Sequence, residues 1–196
     1  MNLRLFVALD PPDPVRRRLA AAQAALREAA GRHADGVRWV SPDRMHLTLQ
    51  FLGSVPEERL PAVRAAVAEA AGRSGPVALR IHGAGSFPSA RRVRVLFGCV
   101  ADEGAGLAAL ARDLGRALAP LGFPPEGRPF LPHLTFGRSR DARGAPGLGG
   151  AIAGASAGAP VTWRAEEVVL FRSRLAQGGA VHEPLERVRL GPAGGG

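Results

Sequence analysis

A duplicated α+β fold is what this sequence predicts, and three observations predict it. The short motif His46-Leu47-Thr48-Leu49 returns as His133-Leu134-Thr135-Phe136. Both copies read as β-strands, with His and Thr at i and i+2 on one face and apolar residues on the other. Both also close the same run of elements. A strand, a helix and the motif follow Arg4, with His46 42 residues on; the same order follows Arg94, with His133 39 residues on. Such a repeat sets the two motif strands in equivalent positions about a pseudo-two-fold axis, with imidazoles and hydroxyls lining one cleft.

The elements follow in order. Leu3, Leu5, Val7 and Leu9 alternate with Arg4, Phe6 and Ala8, which is a strand. Asp13-Pro14 supplies an N-cap and a helix-first proline. The helix they open runs to Ala30, with Val15, Leu19, Ala22 and Leu26 on one stripe. Val37–Val40 is a short strand and Ser41-Pro42-Asp43 a turn. The first motif strand runs from Met45 to Leu52, and a second helix buries Leu60, Val63, Val67 and Ala70. Strands at 76–81 and 93–100 are joined by a segment around Gly85-Ser86-Phe87-Pro88. A third helix over 104–119 carries Leu107, Leu110, Leu114 and Leu118, and the second motif strand follows a Pro/Gly-rich loop. Residues 140–160 are nearly all Gly, Ala, Ser, Pro and Arg, a composition that predicts a flexible loop. Strands over 161–171 and 181–190 form a final hairpin, and the tail 191–196 reads as disordered.

Bulk composition excludes several functional classes. With 196 residues, 46% of them apolar and 22% charged, the chain suits one soluble domain. No apolar run approaches the roughly 20 residues that span a bilayer. Met1–Val7 is too short, and too soon followed by Asp10-Pro11-Pro12, for a signal peptide, so the expected location is the cytoplasm. Cys99 is the only cysteine, which rules out an internal disulfide and a cysteine-rich zinc site and suggests a small buried hydrophobe. The net charge of +9 is carried by arginine alone. Guanidinium favours a polyanionic partner, although GC-rich coding produces the same composition.

Two imidazoles suit a phosphodiester such as a 2′,3′-cyclic phosphate. One, neutral, activates water; the other, protonated, delivers a proton to the departing ribose oxygen. Thr48 and Thr135 can donate to the non-bridging oxygens as charge builds there. The scheme needs no metal and no cofactor. Arg138 is a candidate phosphate clamp, but simple alternation puts it on the face of Leu134 and Phe136 unless Gly137 hosts a bulge. Phe6 is placed to line the cleft. His33 reads as a surface histidine; His82 and His182 flank strands and could face the cleft, but are read as surface histidines too, and Trp39 and Trp163 as packing residues.

The chain resembles the 2H phosphoesterases, specifically the bacterial and archaeal RNA 2′,3′-cyclic phosphodiesterases once called 2′-5′ RNA ligases. The resemblance is carried by Arg4–Leu9, Val37–Val40, His46–Gly53, Phe130–Arg138, Leu170–Leu175 and Pro184-Leu185. It implies a bilobal α+β domain over 1–190, with two antiparallel sheets around a central cleft and helices outside. It implies metal-independent opening of RNA 2′,3′-cyclic phosphate ends to 2′-phosphomonoesters. His46 and His133 then match the catalytic pair, and Thr48, Thr135 and Arg138 the phosphate-binding groups. A 2′-phosphate product makes O3′ the leaving group, with His46 read as acid and His133 as base, and pseudo-symmetry leaving the exchange open. The expected partner is RNA with a cyclic phosphate end, tRNA fragments and cyclic nucleotides included, with no membrane and a monomeric protein. Two alternatives stand beside this: 2′-5′ ligation of tRNA halves, and a non-catalytic nucleotide- or RNA-binding module.

Overall fold

Alternating apolar residues in nine segments build the strands, and four helices cover one face of the sheet they form. The structure is a computed structural model and describes residues 1–125, 127, 129–145, 147–155, 159–176 and 179–192. In chain order the elements are β1 (Asn2–Leu9), α1 (Asp13–Ala30), β2 (Val37–Trp39), β3 (Leu47–Pro56) and α2 (Leu60–Arg73). There follow β4 (Val77–Ser89), β5 (Arg92–Asp102), α3 (Gly106–Leu118), β6 (His133–Ser139) and α4 (Gly149–Ala155). The chain ends with β7 (Val161–Ala165), β8 (Glu167–Ala176) and β9 (Gly179–Arg189).

Every described strand pairing is antiparallel, in the order β7-β4-β5-β6-β3-β1-β8-β9, with β2 paired to β6. The two separate sheets expected from the sequence are therefore one curled half-barrel. The physical reason is the seam where β3 and β6 pair at Leu47 and Leu134, which joins the two halves into one sheet. Those two residues are equivalent positions of the repeated motif. An antiparallel pairing of equivalent residues is what a local two-fold axis through the seam requires.

The core lies between the sheet and the helices. Leu3, Leu5, Val7 and Leu9 of β1 are buried in it with Val15, Leu19 and Leu26 of α1 and Val63, Val67 and Ala70 of α2. All four leucines of the α3 stripe are fully buried, as their 3.6-residue spacing requires. The opposite face carries a small apolar cluster in its first half, Phe6, Ala8, Val169 and Phe171. That uncovered face is the cleft.

Three sequence expectations need correction. The described part of residues 140–160 is not a loose loop: Ala145, Leu148, Ala151 and Ile152 are buried, and α4 packs against α1. Leu148 and Ile152 lie one helical turn apart, and the surrounding Gly and Ala let the helices approach closely. Residues 146 and 156–158 lie outside the described set. The strand expected over 161–171 is two strands broken at Glu166, with β7 pairing to β4 and β8 to β1. The segment Gly85–Pro88 is not a connector but part of β4. Of the tail, Gly191 donates its N–H to the Ala71 carbonyl at 3.0 Å, while 193–196 lie outside the described residues. No described helix is long and apolar enough to cross a membrane.

Candidate active site

Register places both motifs on the uncovered face. In the first half, Thr48 pairs with Ala8, Ala8 with Val169 and Val169 with Arg187. One step along the face, Phe51 pairs with Phe6, Phe6 with Phe171 and Phe171 with Pro184. The ring of His46 lies on this apolar row, its centroid 4.8 Å from that of Phe6 and 6.1 Å from that of Phe171. Phe6 thus lines the cleft as its alternation predicts. In the second half, Cys99 pairs with His133 and Phe97 with Thr135. Phe97 and Phe87 cradle the His133 ring at 5.2 and 5.1 Å.

The parity objection to Arg138 is removed by a bulge. Thr135 pairs with Phe97, yet Gly137 pairs with Leu96, so Phe136 is an extra residue in β6. Val95, two residues from Phe97 on a regular stretch of β5, then pairs with Arg138. Paired residues share a face, so Arg138 joins Thr135 on the cleft side, and its charge is felt at His46. The first half has the same device: Thr48 pairs with Ala8 and Gln50 with Val7, which leaves Leu49 extra and Phe51 on the cleft face. Gly137 is required at the second bulge because a Cβ there would lie 2.5 Å from Val37 Cγ1. Gly137→Ala is expected to cost about 1–3 kcal/mol by overpacking. Urea unfolding checks this cost, and an unchanged value would mean that β2 yields freely.

Both imidazoles are fixed in the same way. His46 Nδ1 lies 2.8 Å from the Arg44 carbonyl oxygen, and His133 Nδ1 lies 2.8 Å from that of Leu131. A carbonyl oxygen only accepts, so each Nδ1 carries the proton and each Nε2 is left for proton transfer. Each bond reaches two residues back along the chain, the same arrangement in both halves. The surroundings differ. Burial pushes His46 down to about 4, an effect that its bond to the Arg44 carbonyl partly offsets. In the free protein, His46 is therefore neutral at physiological pH.

A third histidine joins the site, contrary to its reading as a surface residue. His182 on β9 packs edge-on against His46 at 4.9 Å and against Phe6 at 5.0 Å. Burial, and then the Arg44 guanidinium, hold it below the ordinary imidazole value. Beside it, a cavity of about 300 Å³ adjoins His46 and is lined by Asp10, Arg44, Val181 and Arg187 among others. Asp10 is bound there by Arg16 and by Arg187, the latter at 2.7 Å. His182, Phe87 and Phe97 were missed because the sequence shows alternation but not curvature, which brings distant strands over the motifs. Cys99 is half-buried on the cleft side with its thiol pushed up by burial, not a core residue. Trp163 is buried in the core and Trp39 donates its indole N–H to Ala34, so both are packing residues.

The duplication has a counterpart in known proteins. The pattern of the LigT-like phosphoesterases matches the chain twice, over residues 9–97 and 98–182. The chain belongs to the LigT-like phosphoesterase family. The two matches divide it between the motif-bearing halves. Among LigT-like relatives, the RNA 2′,3′-cyclic phosphodiesterase of Methanothermobacter thermautotrophicus is 32% identical over 190 residues, covering 97% of this chain and 100% of that protein. The RNA 2′,3′-cyclic phosphodiesterase of Thermus thermophilus is 33% identical, with 96% and 90% covered. The crystal structure of TT0787 of Thermus thermophilus superposes with a TM-score of 0.78 at 32% identity, covering 97% and 99% of the two chains. E. coli LigT complexed with 3′-AMP gives a TM-score of 0.75 at 27% identity, again covering 97% and 99%.

Proposed function

We propose that the protein hydrolyses RNA 2′,3′-cyclic phosphate ends to 2′-phosphomonoesters with a two-histidine acid–base pair. The observation that carries this reading is the matched pair of imidazoles, each locked by an Nδ1–H bond to the carbonyl two residues back. The two motifs meet through the antiparallel pair Leu47 and Leu134, a register that, continued by one residue, sets each histidine opposite the other motif's threonine. The near full-length similarity to RNA 2′,3′-cyclic phosphodiesterases supports the substrate.

In this scheme His133 Nε2 takes a proton from water as the water oxygen bonds to phosphorus. The P–O3′ bond breaks, and His46 Nε2–H protonates O3′. Thr48 and Thr135 donate to the non-bridging oxygens, and Arg138 neutralises the charge collecting there. His46 must be protonated for its role, while burial makes it neutral in the free protein. The bound phosphate anion supplies the missing compensation, so substrate binding draws a proton onto His46.

A sign follows for pH dependence. Anion binding raises the proton affinity of His46 above its free value of about 4, so the complex holds more protons than the free protein above that pH. Affinity for sulfate, whose charge is constant here, therefore rises as pH falls from neutrality and levels off below about 4. Calorimetry in two buffers of different ionisation enthalpy will show proton uptake, and His46→Ala will abolish the His46 share. Uptake unchanged in that variant would assign the proton elsewhere.

The reading itself is tested by phosphorus NMR of a short RNA with a 2′,3′-cyclic phosphate end, in EDTA. Conversion to the 2′-monophosphate is expected. A 3′-monophosphate would overturn the assignment of the leaving oxygen, and an unchanged cyclic phosphate would overturn the activity.

A further inference from the structure

The uncovered face continues past the histidines. Beyond the apolar row, Ser54 pairs with Arg4 and Arg4 with Ser173, and Ser173 with His182 at the far end. Arg4 shares its face with Phe6 and Ala8, because β1 alternates regularly and pairs without interruption to β8 from Arg4 to Ala8. The guanidinium-bearing side chain is exposed. It makes no ion pair or hydrogen bond among the described residues. In this it is like the cleft-side Arg138 and unlike Arg16, Arg64, Arg73, Arg80 and Arg187, which hold carboxylates.

Its distance from the reaction centre suits a polymer. The His46 ring rests on Phe6, and Arg4 lies two residues further along the strand, about 7 Å at the rise of a β-strand. An anion held at Arg4 would therefore sit one apolar row away from the phosphate held by the motifs. Nucleic acid has that order of parts: a phosphate, a nucleoside, then the next phosphate. A cyclic mononucleotide without a 5′-phosphate has nothing to place there.

We propose that Arg4 binds the phosphodiester on the 5′ side of the terminal nucleotide, and so makes the protein selective for oligonucleotide ends over cyclic mononucleotides. The strand leaves the centre over the exposed Phe51, the cross-strand partner of Phe6, toward the N-terminal end of β1, where Ser54 and Ser173 pair with Arg4 on either side. The inference rests on the phosphodiesterase reading and deepens it.

The test compares kcat/KM for 2′,3′-cyclic AMP with that for the dinucleotide ApA ending in a 2′,3′-cyclic phosphate. Wild type is expected to favour the dinucleotide, and Arg4→Gln to lower its kcat/KM by about tenfold, the effect of one charge-assisted contact. The same variant should leave cyclic AMP within about twofold, since no contact of the reacting phosphate is removed. Arg4→Lys should restore part of the loss, and the salt dependence of dinucleotide turnover should flatten in Arg4→Gln. Equal effects on both substrates, or none, would overturn the Arg4 assignment while leaving the phosphodiesterase reading intact. Failure of wild type to hydrolyse either substrate would instead overturn the reading beneath it.

Discussion

His46→Ala and His133→Ala will each lower kcat on a 2′,3′-cyclic phosphate by about 10²–10⁴-fold, the range for loss of a positioned acid or base. The double variant should be little worse than either single one, because the two groups act in one step. Their roles separate when the leaving group changes. A p-nitrophenyl phosphodiester expels a stabilised phenolate that needs no proton from the protein. His46→Ala should regain most of the wild-type rate on that ester, while His133→Ala should stay slow for lack of a base. The opposite pattern would exchange the two roles. Equal losses on both substrates would make the histidines binding groups rather than an acid and a base. Circular dichroism guards against misfolding, although both side chains are only half-buried and neither fills the core.

Local periodicity explains what could be read from the chain. The alternation in β1 fixed its core and cleft faces, and the leucine stripe of α3 fixed its buried side, because both patterns involve neighbours on one element. The two His-x-Thr strands were legible for the same reason. What failed depends on contacts between elements. The bulge at Phe136 that turns Arg138 toward the cleft follows from β6 pairing with β5, and from the close approach of Val37 to Gly137. His182 reaches His46 only because the sheet curls, which no spacing along β9 reveals. The burial of Leu148 and Ile152 was hidden by the Gly/Ala composition around them. Small residues suggest looseness in a sequence and permit close helix packing in a structure.

The strongest structural prediction concerns the seam. Leu47 and Leu134 have 0% exposure and form the pair through which the two halves of the sheet connect. Leu134→Ala will remove that side chain from a close-packed core at a cost of about 2–5 kcal/mol. For a domain of this size, such a loss lowers Tm by roughly 4–20 °C. It takes a large share of the 5–15 kcal/mol or so that holds a typical domain together. Leu134→Met keeps the volume and should cost less than about 1.5 kcal/mol. Leu47→Ala should match Leu134→Ala, since the axis relates the two sites, and the pair in combination should deviate from additivity because they touch. Differential scanning calorimetry measures these costs. Activity measured well below the new Tm adds a second test. If the seam also sets the spacing of the histidines, kcat falls in Leu134→Ala at temperatures where the protein is folded. A variant that loses stability but keeps full kcat would show that the two cradles, Phe6 with His182 and Phe87 with Phe97, position the imidazoles without help from the seam.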